Sequence, residues 1–191
     1  MFVSVIIPHY NNFNRLKKVI DSLNSQNQIK KNDYEIIVVD NGSEPQYKEK
    51  LYNLNNVQLI FEEKFLGSPY SCRNRGIEYS RGELIALLDS TCIPEKTWLF
   101  NGVEFASNNN VDLFGGRVDF DPLEKYTFAQ IFDSITNIQM KNSIEKRYSK
   151  TTNLWIKRHV FDQIGLFHEG VRSGEDVRWT KNATTEKLIL K

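Results

Sequence analysis

Cysteine is almost missing from this 191-residue chain. The two present, Cys72 and Cys92, make neither a disulfide framework nor a zinc-ligand pattern, so a reducing compartment is the default. Long apolar runs are missing as well. The first, Phe2 to Ile7, stops at Pro8 and follows no basic leader, which reads as a strand, too short for a signal-peptide core or a membrane span. Surplus charge is absent: 25 Lys and Arg stand against 24 Asp and Glu, a net charge of +1. Nothing global therefore attracts nucleic acid or an anionic membrane surface, and an anionic ligand has to be held locally. No Walker loop occurs, and no GxGxxG follows the first strand. The three histidines (His9, His159, His168) lack metal-ligand spacing, and no Ser, His and Asp set has nucleophile-elbow spacing. Repeats, low-complexity tracts and linkers are also absent.

What is present is enough apolar material, 40% of residues, for one domain with a real core. Phe2–Ile7 reads as a buried strand and His9–Asn12 as a loop. Leu16, Val19, Ile20 and Leu23 recur at helical spacing, with Lys17, Lys18 and Asp21 opposite. Tyr34–Val39 is a second strand, ending in Asp40 and the turn Asn41-Gly42-Ser43. Strand, helix, strand within about forty residues is a right-handed βαβ unit. A short helix over Tyr47–Leu54 and a third strand over Val57–Phe61 follow. Pro69 suits the first position of a helix after Ser68. That helix carries Arg73, Asn74 and Ile77 and breaks at Gly82, before a fourth strand, Leu84–Leu88. The alternation predicts an open, mostly parallel α/β sheet flanked by helices.

After Trp98 the pattern loosens. Val111–Phe120 is β-like around Gly115-Gly116, which suggests a bend or a close backbone approach. Tyr126, Phe128, Ile131, Phe132, Ile135 and Ile138 form one wide apolar helical face. Asn153–Ile156 reads as a short strand and Lys157–Ile164 as a helix. Ser173-Gly174-Glu175-Asp176 opens a last helix bearing Trp179.

The chemistry concentrates in acids at strand ends and helix starts: Asp40, Asp89 and the Glu175-Asp176 pair. Carboxyl ends of strands are where open α/β sheets bind ligands. Such acids can grip a nucleoside or hold a cation on a diphosphate, and a further acid can serve as general base toward a hydroxyl. Each also has a purely structural use. Asp40 could begin an Asx-turn, Asp89 could cap a helix near Pro94, Arg73 could be an ion-pair partner, and Glu175-Asp176 could be dipole-favoured acids in a first turn.

Five segments in order, SVIIPHYNN, YEIIVVDNGS, CRNRGIEYSRGELIALLDSTCIPEKTWL, GGRV with TTNLWIKRHVFDQIGLF, and GEDVRW, resemble the family 2 glycosyltransferases of the GT-A fold. The resemblance implies one GT-A domain over 1–191: a Rossmann-like nucleotide-sugar-binding half over 1–98 and an acceptor-side half over 99–191, truncated at its C-terminus. Pro8 and Tyr10 would border the base, and Asp40 with Asn41 would meet the base or ribose. Arg73 would order Asp40 or the base pocket, and Asp89 would sit by the ribose and diphosphate as metal ligand. Asp176 would take the acceptor proton, with Glu175 in support. The implied reaction is inverting transfer from a nucleoside-diphosphate sugar, taken as uridine-linked, to a saccharide or lipid-linked acceptor. That places the chain in the assembly of surface polysaccharides or glycans, in the cytoplasm or at the inner membrane face. A divalent cation, Mn2+ or Mg2+, is implied, but the family's usual second acid is replaced here by Thr91, so it would be weakly held. A degenerate domain that binds nucleotide sugar as a scaffold is the alternative. A nucleotidyltransferase would want a glycine-rich basic loop, and Pro8-His9-Tyr10-Asn11 is not one.

Overall fold

A computed structural model of the chain describes residues 1–119 and 140–191. Its frame is β1 (Val3–His9), α1 (Phe13–Asn24), β2 (Tyr34–Asp40), α2 (Pro45–Leu51), β3 (Gln58–Phe61), α3 (Pro69–Tyr79) and β4 (Leu84–Leu88). These are followed by α4 (Trp98–Asn108), β5 (Leu113–Gly115), α5 (Met140–Glu145), β6 (Asn153–Lys157), α6 (His159–Ile164) and α7 (Glu175–Thr185). The six strands form one sheet in the order β3-β2-β1-β4-β6-β5. The first four are parallel, while β6 runs antiparallel to both β4 and β5.

Alternation along the buried strands feeds two cores. Val3, Val5, Ile7, Ile36 and Val38 pack with Leu16, Val19, Ile20 and Leu23 of α1 and Leu99 and Ala106 of α4. Ile6, Ile37, Val39, Ile85 and Leu87 pack on the opposite face with Ile77 of α3, Val160 and Phe161 of α6 and Trp179 of α7. The result is the three-layer sandwich that a parallel sheet needs to bury both faces.

Several local expectations change. The first strand continues through Pro8 to His9 instead of ending at the proline. Phe2 O accepts from Leu84 N on the β4 side and His9 O accepts from Asn41 N on the β2 side. Even-numbered residues therefore address β4, and Pro8 lies beyond the last β4 pair, Ile6↔Leu87, where its missing N–H costs no ladder bond. The helix that the sequence allowed near Pro94 begins instead at Trp98, as α4. The β-like run over 111–120 contracts to Leu113–Gly115. The apolar face on 126–138 lies outside the described residues.

The order of strands reverses between β1 and β4: from β1 the chain crosses first to β2 and β3, then back to β4 on the other side. The carboxyl ends of β1 and β4 therefore splay around a crevice, the usual ligand position in such sheets.

Candidate active site

That crevice is a groove of about 860 Å³, within the range of small-molecule sites. Its walls carry Pro8, His9 and Tyr10 from the end of β1, Asn41 from the end of β2, and Asp89 and Thr91 from the end of β4. Pro69, Tyr70, Cys72 and Arg73 come from α3, Arg172 from the loop before α7, and Asp176 from the first turn of α7. Of the residues expected from sequence, Pro8, Tyr10, Asn41, Arg73, Asp89, Thr91 and Asp176 thus meet on one surface. Asp40 and Glu175 do not line it. A second cavity, of about 800 Å³ among Trp98, Phe105, Phe114 and Trp155, shares only Thr91 with the groove among the described residues.

The motif Arg73-Asn74-Arg75-Gly76 has a separate physical reason at three positions. Gly76 faces β1, where a Cβ would lie 2.4 Å from the Ile6 side chain, so α3 packs on the sheet only with glycine there. Asn74 pairs with the backbone of Phe167 in both directions, Nδ2 donating to the carbonyl at 2.8 Å and Oδ1 accepting from the N–H at 3.0 Å. Arg73, buried, donates to Asp89 Oδ1 at 2.6 Å. The sequence reading has Arg73 ordering Asp40 or the base pocket; its carboxylate partner is Asp89.

Asp89 is 34% exposed and keeps Oδ2 free of protein donors among the described residues. The next helix begins at Trp98 with Thr97 at its N-cap position, so Asp89 caps nothing. Its backbone N–H donates to Thr152 O of the antiparallel neighbour, which fixes the turn carrying Thr91.

Asp40 is 1% exposed. Its carboxylate accepts from Ser43 N–H at 3.0 Å and from Ser43 Oγ, the Asx-type turn that the sequence also allowed. Asn41 turns its amide inward, donating to Phe65 O at 3.1 Å. Tyr10, 60% exposed, offers a free ring to the groove. His9 is 2% exposed, and neither ring nitrogen has a hydrogen-bond partner. Burial pushes its imidazole below the ordinary 6.5, against the pull of the Asp40 charge. Arg73 Nε is similarly buried without an acceptor. Unpaired polar atoms of this kind are rare in a finished core and border this groove twice.

Glu175 and Asp176 separate into different duties. Glu175 is buried and accepts both Arg178 guanidinium hydrogen bonds at 2.6 Å and the His168 N–H at 2.8 Å. Burial raises its carboxyl, but the Arg178 and His168 hydrogen bonds outweigh that and leave it below the ordinary carboxylate value. It closes the loop over 168–175 and presents no free oxygen. Asp176 Oδ1 accepts from Val177 N–H at 2.9 Å and from Tyr70 Oη at 3.1 Å, while Oδ2 has no protein partner among the described residues. Tyr70 and Arg172 carry no pattern that a single sequence would reveal.

The cysteines stay out of the chemistry. Burial, chiefly, pushes the Cys72 thiol up to about 12 and the Cys92 thiol up to about 11, so neither is a thiolate at neutral pH. Among the described residues no three His, Cys, Asp or Glu side chains come together as a metal cage. One Asp89 oxygen and the Thr91 hydroxyl are what the β4 turn offers a hard cation, which wants about six oxygens. Such a set fits a cation carried in with a diphosphate, not a free-standing metal site.

Known proteins resemble this chain over most of its length. Residues 4–171 match the family model described as Glycosyl transferase family 2. Glycosyltransferase AglE of Haloferax volcanii is 43% identical over 188 residues, covering 96% of this chain and 61% of that protein. Residues 1–349 of Staphylococcus aureus TarS, in complex with UDP-GlcNAc, superpose with a TM-score of 0.69 at 23% identity, covering 94% of this chain and 52% of that one. The mannosyltransferase PcManGT of Pyrobaculum calidifontis, in complex with GDP-Man and Mn2+, superposes with a TM-score of 0.71 at 18% identity, covering 98% and 53%. The two superpositions establish a shared GT-A fold. The chain spans about three-fifths of AglE and about half of either solved chain.

Proposed function

The chain belongs to glycosyl transferase family 2, and from that premise we propose that it transfers a sugar from a nucleoside diphosphate, uridine first among the bases, to a hydroxyl acceptor with inversion. One observation carries the reading: Asp89 and Asp176 lie on the walls of a single groove at the switch point of the sheet, each with one oxygen held and one free. On this reading residues 1–98 bind the donor and 99–191 supply the acceptor side.

Tyr10 stacks on the base, and Asp40 and Asn41 keep the floor beneath it in shape from below. Asp89, held by Arg73, meets the ribose and diphosphate. The acceptor hydroxyl oxygen attacks the anomeric carbon from the face opposite the diphosphate. Asp176 Oδ2 takes its proton as the glycosyl–oxygen bond breaks, and the nucleoside diphosphate leaves with the bonding pair. Negative charge grows on that leaving group, and a transition state is favoured by positive charge fixed beforehand. Arg172, on the groove wall, supplies such charge. A divalent cation carried with the diphosphate would be held by Asp89 and add to the same neutralisation.

The acceptor is proposed as a saccharide or lipid-linked sugar in surface glycan or polysaccharide assembly. The site of action is proposed as the cytoplasm, at the inner membrane face for a lipid-linked acceptor. No helix among the described residues is long and apolar enough to cross a membrane. A second reading, a nucleotide-sugar-binding module without turnover, is favoured by one feature, the neutral Thr91 where an acid would complete a cation site. A panel of nucleotide sugars, titrated calorimetrically with and without manganese and then assayed for transfer, separates the two. Binding with turnover supports the enzyme, binding without turnover on any acceptor supports the module, and no binding overturns both.

A further inference from the structure

Two acids proposed for opposite ends of one reaction lie 87 positions apart in the chain, at 89 and 176, and one side chain touches the apparatus of both. Tyr70 sits in the first turn of α3, directly after Pro69 and the Ser68 cap. Its hydroxyl donates to Asp176 Oδ1 at 3.1 Å across 106 residues of sequence. The guanidinium of Arg73, which holds Asp89, lies over the Tyr70 ring at 5.4 Å from its centroid. The ring packs on Phe167, centroid to centroid 5.8 Å and tilted by 40°, in the core shared with Trp179 of α7. The ring is buried and the hydroxyl reaches the groove, so the oxygen has one direction in which to point.

We propose that Tyr70 is a positioning residue for Asp176: its hydroxyl fixes Oδ1, leaving Oδ2 as the oxygen that faces the acceptor hydroxyl. This rests on the reading of Asp176 as general base. A half-buried carboxylate in a first helical turn still has two interchangeable oxygens and a soft final torsion. Two donors on one oxygen, Tyr70 Oη from α3 and Val177 N–H from α7 itself, remove that freedom. The Val177 bond moves with its own helix, whereas the Tyr70 bond ties the helix to the donor side of the groove.

The neighbouring contacts repeat the tie. Ser68 Oγ donates to Val171 O at 2.8 Å, and Gly170 N–H donates to Ser71 Oγ at 2.9 Å, so the first turn of α3 and the segment before Asp176 move as one body. Tyr70 itself stays a donor. Burial and then the Asp176 charge push its hydroxyl up to about 12, so it cannot compete for the proton that Asp176 is placed to accept. The 3.1 Å separation is long for a hydroxyl on a carboxylate, as such contacts often are before substrate binds and closes the site.

The test is Tyr70→Phe in the full-length protein, which keeps the ring, its core contacts and the Arg73 stack while deleting the hydroxyl. Donor affinity is read by calorimetry and turnover by sugar transfer, alone and combined with Asp176→Asn. Misplacing a catalytic group by a fraction of an ångström is costly, so kcat is expected to fall about tenfold with donor Kd unchanged. In the Asp176→Asn background the second change is expected to cost nothing further, since the group it positions no longer acts. Full turnover of Tyr70→Phe beside a crippled Asp176→Asn overturns the Tyr70 assignment alone. An equal fractional loss in both backgrounds does the same and makes Tyr70 a structural residue. Full turnover of Asp176→Asn overturns the base assignment, and the Tyr70 assignment with it.

Discussion

A carboxylate with 1% of its surface exposed is not removed cleanly. From the sequence, Asp40→Ala is expected to abolish nucleotide binding without unfolding, because the residue ends a strand. The structure changes that expectation: Asp40 is buried and holds Ser43 by two hydrogen bonds, so alanine strands buried donors at about 1–3 kcal/mol each. A melting temperature lower by roughly 4–24 °C is expected beside any loss of binding. An unchanged melting temperature would show that the turn does not need Asp40. At Thr91 the expectation runs the other way. Thr91→Asp adds a second charged oxygen ligand beside Asp89 and should tighten manganese on the nucleotide-loaded protein by about 1–2 kcal/mol, after desolvation. Calorimetry reads the difference directly. Equal affinity in parent and variant would mean that another group already completes the cation's shell.

Among the elements, α3 ties the parallel part of the sheet to the segment before α7, and Asn74 is the joint most exposed to a single substitution. Asn74→Ala leaves the Phe167 N–H and carbonyl without their partners in a buried place, a loss of roughly 2–4 kcal/mol. Thermal unfolding checks it, with hydrogen exchange over 165–175 expected to accelerate before the rest of the chain; uniform exchange would deny that Asn74 pins this loop. The elements also explain what a reader of the sequence can see. β1, β2, β4, α1 and α3 announce themselves because aliphatic runs or a Leu16-Val19-Ile20-Leu23 spacing stand between Pro, Gly and Ser breaks. The helix α4 shows only as the alternative of a helix near Pro94, without its extent, because its buried face is Leu99, Gly102 and Ala106. Small residues carry that face: a Cβ on Gly102 would lie 2.3 Å from the Trp155 ring. Asp89 and Asp176 are legible for the same reason as the strands, since an acid ending an apolar run or opening a helix stands out. Tyr70 and the burial of Asp40 and Glu175 are not, because long-range contacts leave no periodicity in one sequence.

At the scale of the molecule, the fold binds an unpartnered imidazole into its own stability. His9 is held below its ordinary 6.5 by burial, so the folded chain keeps the ring neutral where the unfolded chain takes up a proton. Stability is therefore full above about pH 6.5 and is lost as pH falls below it, by at most about 1.4 kcal/mol per pH unit until the folded value is reached. The drop in melting temperature between pH 7.5 and 5.5 should be smaller in His9→Gln than in the parent; equal drops would assign the acid sensitivity to other groups. The same scale carries the central claim, that one switch-point groove binds the donor on one wall and activates the acceptor from the other. Asp176→Asn tests it most directly, because the amide keeps the size and most hydrogen bonding of the carboxylate and removes its basicity. Donor affinity should stay within about twofold while sugar transfer falls by roughly a hundred- to ten-thousandfold, the scale of general-base loss. Equal losses of binding and transfer would contradict the account and make Asp176 a donor-positioning residue.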